Sequence, residues 1–279
     1  MDIGIDPVAF SIGSLKIHWY GIFVALAVAG LVLWVWRFSR GKGYTTEFVL
    51  GGALWAIPMA IIVSRLVHVI DKIGDFVDDP VSIFGVRGLT IFGAILGGLL
   101  GTWIHCKIRK VSFAPLADIG APGIILAQAI GRVGCTINGC CCGEPTSLPW
   151  AVSYSHPDSA AHECAALGTL LHPTQMYELL GDLVIFALLF WVFRGRLRPS
   201  GSLLAVYLLL YSILTFTVRF WRGDTEPFAG FLHEGQLIAL ILMVGAGAWL
   251  IWKTRWVGKQ AEVDDGTVAV EEPVAEGSE

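Results

Sequence analysis

The chain has 279 residues, of which 55% are hydrophobic and 15% charged, and a formal net charge of −4. A soluble domain carries about 25% charged residues, so the deficit, with a mean hydropathy of +0.67, points to lipid as the surrounding solvent. No cluster of Lys and Arg suits nucleic acid, and residues 262–279, with seven acids and no base, account for the acidity.

Apolar stretches close to the roughly 20 residues that cross a bilayer recur along the chain. They predict helices over 19–38, 48–70, 89–107, 116–137, 177–193, 202–221 and 235–252. Residues 1–18 read as a short external segment, an interfacial helix in which Val8, Phe10, Ile12 and Leu15 alternate weakly. They lack a basic n-region and a small-residue cleavage site, so no removable signal peptide is expected. Pro58, Arg65 and His68 interrupt the second stretch, and Asp118, Pro122 and Arg132 the fourth. Asp71, Asp75, Asp78 and Asp79 before Pro80 read as a solvated acidic loop, without the ligand periodicity of a calcium loop. Gly93, Gly97, Gly98 and Gly101 place small residues at helical spacing on the third stretch, which suits close packing in lipid. A single membrane domain is expected over 1–256, followed by an acidic, disordered cytoplasmic tail over 257–279.

Lys and Arg in short loops set orientation. Alternate loops hold Arg37, Arg40 and Lys42; Lys107, Arg109 and Lys110; Arg194, Arg196 and Arg198; and Lys253, Arg255 and Lys259, which is 12 of the 19 basic residues. The opposite loop over 138–176 holds none. The expected fold is therefore an all-α integral membrane protein of seven transmembrane helices, N-terminus outside and C-terminus cytoplasmic.

The other basic residues, Lys16, Arg65, Lys72, Arg87, Arg132, Arg219 and Arg222, fall on the outer half. Lys16, Lys72 and Arg87 fit water or headgroups. Arg65 and Arg132 lie inside apolar segments, where an unpaired charge costs about 2.5–3.5 kcal/mol or more. Each faces a cavity, an anionic ligand or a counter-ion, with Asp118, Glu178 and Asp182 as candidates. Around Arg132 the run Gly131-Arg132-Val133-Gly134-Cys135-Thr136-Ile137-Asn138-Gly139 combines glycines, which let backbone approach a ligand, with a guanidinium fork suited to a phosphate diester. Asn138 adds a neutral donor. A second run, His172-Pro173-Thr174-Gln175-Met176-Tyr177-Glu178, opens a helix on Pro173 and Glu178. It offers acid, base and hydrogen-bonding groups, or alternatively an interfacial Tyr177 and a Glu178 paired with Arg65 or Arg132.

These two runs, with Gly143, Trp19-Tyr20-Gly21 and Ser64-Arg65-Leu66, resemble the prolipoprotein diacylglyceryl transferase family over most of 19–252. The resemblance implies a bacterial inner-membrane enzyme of lipoprotein biosynthesis that uses phosphatidylglycerol and lipobox-containing preproteins, with no cofactor and no metal. A lipobox thiolate would attack the glyceryl carbon bearing the phosphate, giving a thioether and glycerol phosphate. The implied catalytic residues are Arg132, Tyr20, His172 and Glu178. Arg132, Asn138, Arg65, Gln175, Arg219 and Arg222 are the expected substrate contacts. Arginines stabilise the leaving phosphate and favour the thiolate.

The chain departs from the family pattern at Phe92, where a histidine is usual, at Cys135 for Asn, at Cys140 for Glu, and at Thr215 and Arg219 for an Arg and a Glu. A missing general base costs roughly 10²–10⁴ in rate; His68, His172 or Glu178 could replace it, or the arginines alone suffice. Cys106 falls at the cytoplasmic end of the third helix, whereas Cys135, Cys140, Cys141, Cys142 and Cys164 fall outside. A disulfide from Cys164 to one of Cys140, Cys141 or Cys142 leads the readings. Free thiols, and a metal bound by Cys140, Cys142, His162 and Cys164 on a spacing that matches no zinc pattern, stand beside it. The competing functions are a thiol redox or metal-handling membrane protein, or a phospholipid-binding paralogue without turnover. Transfer requires Arg132 and tolerates loss of the Cys140, Cys141 and Cys142 run; thiol chemistry requires the reverse.

Overall fold

The computed structural model describes residues 1–71, 91–224, 227–228 and 232–257. Seven helices lie among them: α1 (Trp19–Ser39), α2 (Thr46–Asp71), α3 (Ile91–Ile108), α4 (Phe113–Asn138), α5 (Thr174–Ala187), α6 (Ser202–Val218) and α7 (Glu234–Lys253). A π-helical turn, Leu188–Phe193, prolongs α5, and a 3₁₀ turn, Arg219–Trp221, prolongs α6. Six segments are long and apolar enough to cross a bilayer: Trp19–Lys42, Thr46–Val69, Phe113–Asn138, Thr174–Phe193, Ser202–Trp221 and Gly235–Lys253. With the 18 residues of α3, the helix number matches the seven apolar stretches of the sequence. The chain is a multi-pass membrane protein.

Short strands occupy the connections. They are β1 (Asp2–Ile3), β2 (Val8–Ile12), β3 (Leu15–His18), β4 (Ser153–Tyr154), β5 (Leu197–Arg198), β6 (Pro227–Phe228), β7 (Leu232–His233) and β8 (Arg255–Trp256). The expected interfacial helix over 1–18 is thus replaced by strands. Val8, Phe10 and Ile12 alternate with the period of a strand, and Gly13, at φ +61°, lets β2 fold back antiparallel on β3. β1 pairs in parallel with β4. There the Asp2 carboxylate accepts from Ser153 Oγ (3.0 Å) and Ser155 Oγ (2.8 Å), which holds it below its ordinary range.

The chain divides into two compact units, one of residues 1–33 with 120–264 and one of residues 34–119 with 265–279. In the second, α2 packs on α3 through the glycines the sequence singles out. A Cβ on Gly97 would meet the Met59 carbonyl and lie 2.8 Å from Ala60 Cα; one on Gly101 would meet the Trp55 carbonyl and lie 2.9 Å from Ala56 Cα. Small residues here let backbones touch, the usual basis of helix association in lipid. Tyr44, Phe48, Val49, Cys106, Val111, Leu116 and Ile119 form this unit's buried core. Arg65 is half-buried on α2. Residues 72–90 and 258–279, with the acidic loop beyond Asp71, Lys72, Arg87, the Phe92 side chain and the expected tail, lie outside the described residues.

In the first unit Ile3, Cys142, Val152, Tyr154, Ala161 and Leu171 form a core beneath the long connection between α4 and α5. That connection is stitched by backbone hydrogen bonds. Glu144 N donates to Trp221 O (2.9 Å), Gly223 N to Cys142 O (3.0 Å) and His172 N to Glu144 O (3.0 Å). Three segments distant in sequence, around 142–144, 172 and 221–223, therefore form one arm.

Candidate active site

Arg132 sits on α4 at its final turns and Glu178 on α5, and the two form an ion pair, with Glu178 only 2% exposed. The pairing settles which counter-ion Arg132 takes. Pro173 caps α5 and Thr174 begins it, so Glu178 stands in the second turn, one turn later than the sequence predicts. Gln128 lies one turn before Arg132 on the same face of α4, and its Oε1 accepts from Tyr207 Oη at 3.0 Å. Asp182 is fully buried one turn beyond Glu178, and among the described residues neither of its oxygens has a hydrogen-bond partner. Gln128 Nε2 and Ser212 Oγ share that condition among the described residues. Ser212 and Thr215 are three residues apart on α6 and so share one face, with Tyr211 beside them and close enough to Arg132 to feel its charge. Buried polar atoms are nearly always satisfied by protein or water, and membrane-embedded ones are costly when they are not. Such groups on three apolar helices mark a polar interior. Sequence reasoning weighed Asp182 only as a counter-ion and did not find Gln128, Ser212 or Tyr211. The available signal was polar residues at three- and four-residue spacing within apolar helices.

Glycine has two uses here. A Cβ on Gly134 would lie 2.9 Å from Phe23 Cβ and 3.2 Å from Tyr20 Cα, so this glycine seats α1 against α4 and leaves the ligand to others. Nothing lies within 4 Å of a Cβ on Gly131. The packing brings Tyr20, 41% exposed, into electrostatic range of Arg132, Cys135, Cys140 and Cys141. The run ends the helix on its last glycine: α4 passes through Gly131 and Gly134 to Asn138, and Gly139 at φ +79° closes it, donating to Cys135 O at 2.9 Å.

Gln175 is 1% exposed and donates through Nε2 to Cys140 O (2.9 Å) and Tyr154 Oη (3.3 Å). Thr174 Oγ1 donates to Cys141 O at 2.7 Å, and the Asn138 side chain lies close enough to the Cys140 thiol to act on it. These residues fix the cysteine run directly. His172 Nδ1 lies 3.4 Å from Tyr177 Oη, which accepts from Trp150 Nε1 at 2.8 Å. The His172, Tyr177 and Trp221 rings lie 6.1–6.3 Å apart, in a small aromatic cluster. Gly143 backs onto it: a Cβ there would meet His172 and lie 2.9 Å from Trp221 O.

Arg222, 8% exposed, is clamped by both oxygens of Asp224, at 2.6 Å each. Against burial, the nearby Cys141 and then Asp224, a partner the sequence reading missed, hold this guanidinium above its ordinary range. The Arg219 guanidinium lies against Gly235 in the first turn of α7, where any side chain would collide with it. Arg65 belongs to the other unit.

Cys142 is bridged to Cys164, 22 residues on. The pairing agrees with the leading expectation and overturns the metal set of Cys140, Cys142, His162 and Cys164, since two of its thiols are spent. The thiols of Cys135, Cys140 and Cys141 converge instead, all within 4.8 Å of one another. Hydrogen bonds from the Cys135 and Cys140 thiols, then the Arg222 and Arg132 charges, hold the Cys141 thiol well below its usual range.

Residues 7–252 match the family model described as prolipoprotein diacylglyceryl transferase. The phosphatidylglycerol–prolipoprotein diacylglyceryl transferase of Dehalococcoides mccartyi is 42% identical over 267 residues, 95% of this chain and 99% of its own. The enzymes of that name from Finegoldia magna and Clostridium tetani are 35% and 30% identical, over 86% and 85% of this chain and 92% and 94% of theirs. Matched by the family model over 7–252 and by these relatives at 30–42% identity, the chain belongs to the prolipoprotein diacylglyceryl transferase family.

Proposed function

We propose that this enzyme moves the diacylglyceryl group of phosphatidylglycerol to the lipobox cysteine of a preprotein, at the outer side of a bacterial cytoplasmic membrane. The observation that carries the reading is Arg132, ion-paired to Glu178 beside buried polar groups that have no partner among the described residues. An anionic headgroup with several hydroxyls supplies the hydrogen bonds that such an interior lacks.

In the reaction a sulfur–carbon bond forms and the carbon–oxygen bond to phosphate breaks, its electron pair leaving on the phosphate. The thiol proton ends on the glycerol phosphate released, so charge balances. Arg132 steadies the leaving phosphate, where a single well-placed donor is worth about 10²–10³ in rate. Arg219 and Arg222 add positive potential. Asn138 and Gln175 act by holding the cysteine run in place, and Tyr20, beside Arg132 and the thiols, hydrogen-bonds the reacting groups. Glu178 orients Arg132 and, with His172 in the aromatic cluster, is available for proton transfer. The absence of Lys and Arg from 138–176, against basic residues in the alternate loops, supports the outer placement.

Acyl-labelled phosphatidylglycerol in vesicles, incubated with the purified protein and a lipobox peptide, tests the reading. The peptide should gain one diacylglyceryl thioether, and Arg132→Ala should abolish the gain. Lipid bound without any peptide product would establish a phospholipid-binding paralogue instead.

A further inference from the structure

We infer that Cys135, Cys140 and Cys141 form a site for a thiophilic d¹⁰ ion, specifically Zn²⁺, beside the lipid-transfer arginine. Their thiol sulfurs lie within 4.8 Å of one another. A tetrahedral ion with zinc–sulfur bonds of about 2.3 Å sets sulfurs about 3.8 Å apart, so shifts of an ångström or less close the set. Pairing two of them as a disulfide would strand the third, whereas a metal uses all three. The next residue in sequence, Cys142, is already bridged to Cys164.

The ligands are braced from outside, as metal ligands usually are. Gln175 holds the Cys140 carbonyl and Thr174 the Cys141 carbonyl, at 2.9 and 2.7 Å. Cys135 is carried by α4, so one ligand comes from a rigid helix and two from a pinned loop. Three thiolates with Zn²⁺ carry a net charge of −1, and the Arg132 and Arg222 charges both act on Cys141 to balance it. Soft sulfur ligands select zinc or monovalent copper over magnesium or calcium.

Three protein ligands leave a fourth position, as zinc sites that take part in reactions do. Resting on the proposed transfer reaction, that position takes the acceptor thiol. Coordination releases the thiol proton to solvent and leaves a zinc-bound thiolate. The sulfur then bonds to the glyceryl carbon as the carbon–oxygen bond to phosphate breaks, and the thioether, a poor ligand, departs. The ion would thus supply the thiolate in a chain that has Phe92 where a histidine base is usual.

The test is metal content of the full chain, purified in detergent from zinc-supplemented cells and loaded in parallel with Co²⁺. The proposal expects about one zinc per chain and a sulfur-to-cobalt charge-transfer band. Both should be retained in Cys106→Ser, whose thiol lies in the other unit's core. Zinc affinity should fall at least roughly 100-fold in Cys135→Ser, Cys140→Ser and Cys141→Ser. An unaltered chain that binds no zinc or cobalt, or a disulfide among the three thiols in unreduced protein, overturns the site, and neither result depends on variant folding. Stoichiometric zinc without transfer activity would refute the function while leaving the site. Full transfer after complete zinc removal would refute the ion's role in the reaction.

Discussion

Glu178 and Arg132 can be separated by a double substitution. Replacing Arg132 with Met strands the Glu178 carboxylate, which is 2% exposed; replacing Glu178 with Leu strands the guanidinium. Breaking a buried pair from one side costs about 3–5 kcal/mol, whereas replacing both partners with apolar groups of similar volume is often neutral or stabilising. Thermal unfolding in detergent should therefore show both single variants strongly destabilised and the Arg132→Met, Glu178→Leu pair near the parent protein. Transfer should not recover with stability. A lost phosphate donor costs about 10²–10³ in rate, so the double variant should transfer less than about 1% as fast as the parent. Arg132→Lys should fold better than Arg132→Met and still transfer poorly, because an ammonium is a point charge without the fork. A stable double variant that transfers at parental rate would refute the reasoning, since the pair would then serve only the fold.

Cysteines introduced in the 138–176 loop should react with impermeant reagents on intact cells, and those placed over 194–198 should not; equal labelling would reverse or break the orientation. Cys164→Ser opens a 22-residue link worth roughly 3 kcal/mol on a chain-entropy reckoning. It should lower stability and reduce transfer modestly, and alkylation of parent protein denatured with a chelator but no reductant should leave only Cys142 and Cys164 unmodified. Gly143→Ala drives a methyl into His172 and the Trp221 carbonyl and should cost about 1–3 kcal/mol together with most activity. Gly131→Ala meets nothing within 4 Å and should be near neutral in both assays.

The helices were legible because period and length suffice to find a membrane span. Their ends were less so: Thr46 and Thr174 start helices two or three residues ahead of the apolar stretches because polar first turns dilute the hydrophobic signal, and Phe113 starts one three residues early because Pro115, a breaker inside a helix, is tolerated in its first turn. The strands of residues 1–18 were misread because weak alternation of apolar residues precedes a hairpin as readily as it marks an interfacial helix, and only Gly13 distinguishes them. Within the site, Arg132 and Glu178 were visible as charges where lipid should be. Asp224 was missed because it lies two residues from Arg222 in an ordinary polar turn, where nothing in the sequence demands a partner. The three thiols were invisible as a set because Cys135 reaches Cys140 and Cys141 only through the close of α4 at Gly139, a local chain reversal that sequence spacing does not encode.

The charges near the reacting groups almost cancel before lipid arrives. Arg132, Arg219 and Arg222 stand against Glu178 and Asp224, all in the same unit. A phosphodiester does not simply enter a positive hole; it competes with acids already in place. The two ion pairs differ in how they meet that competition. Asp224 engages Arg222 through Nε and Nη2 together, so a phosphate reaching that fork must break a bidentate contact. Glu178 engages Arg132 through Nη2, which leaves other guanidinium donors of the same planar group for a second anion. A guanidinium can hold a carboxylate on one edge and a phosphate on another because its five donors point along fixed, separate directions. On the proposed reaction, Arg132 can meet the lipid phosphate without first losing the partner that orients it, as Arg222 cannot, and a lysine at that position would lack the planar fork that keeps the two anions apart.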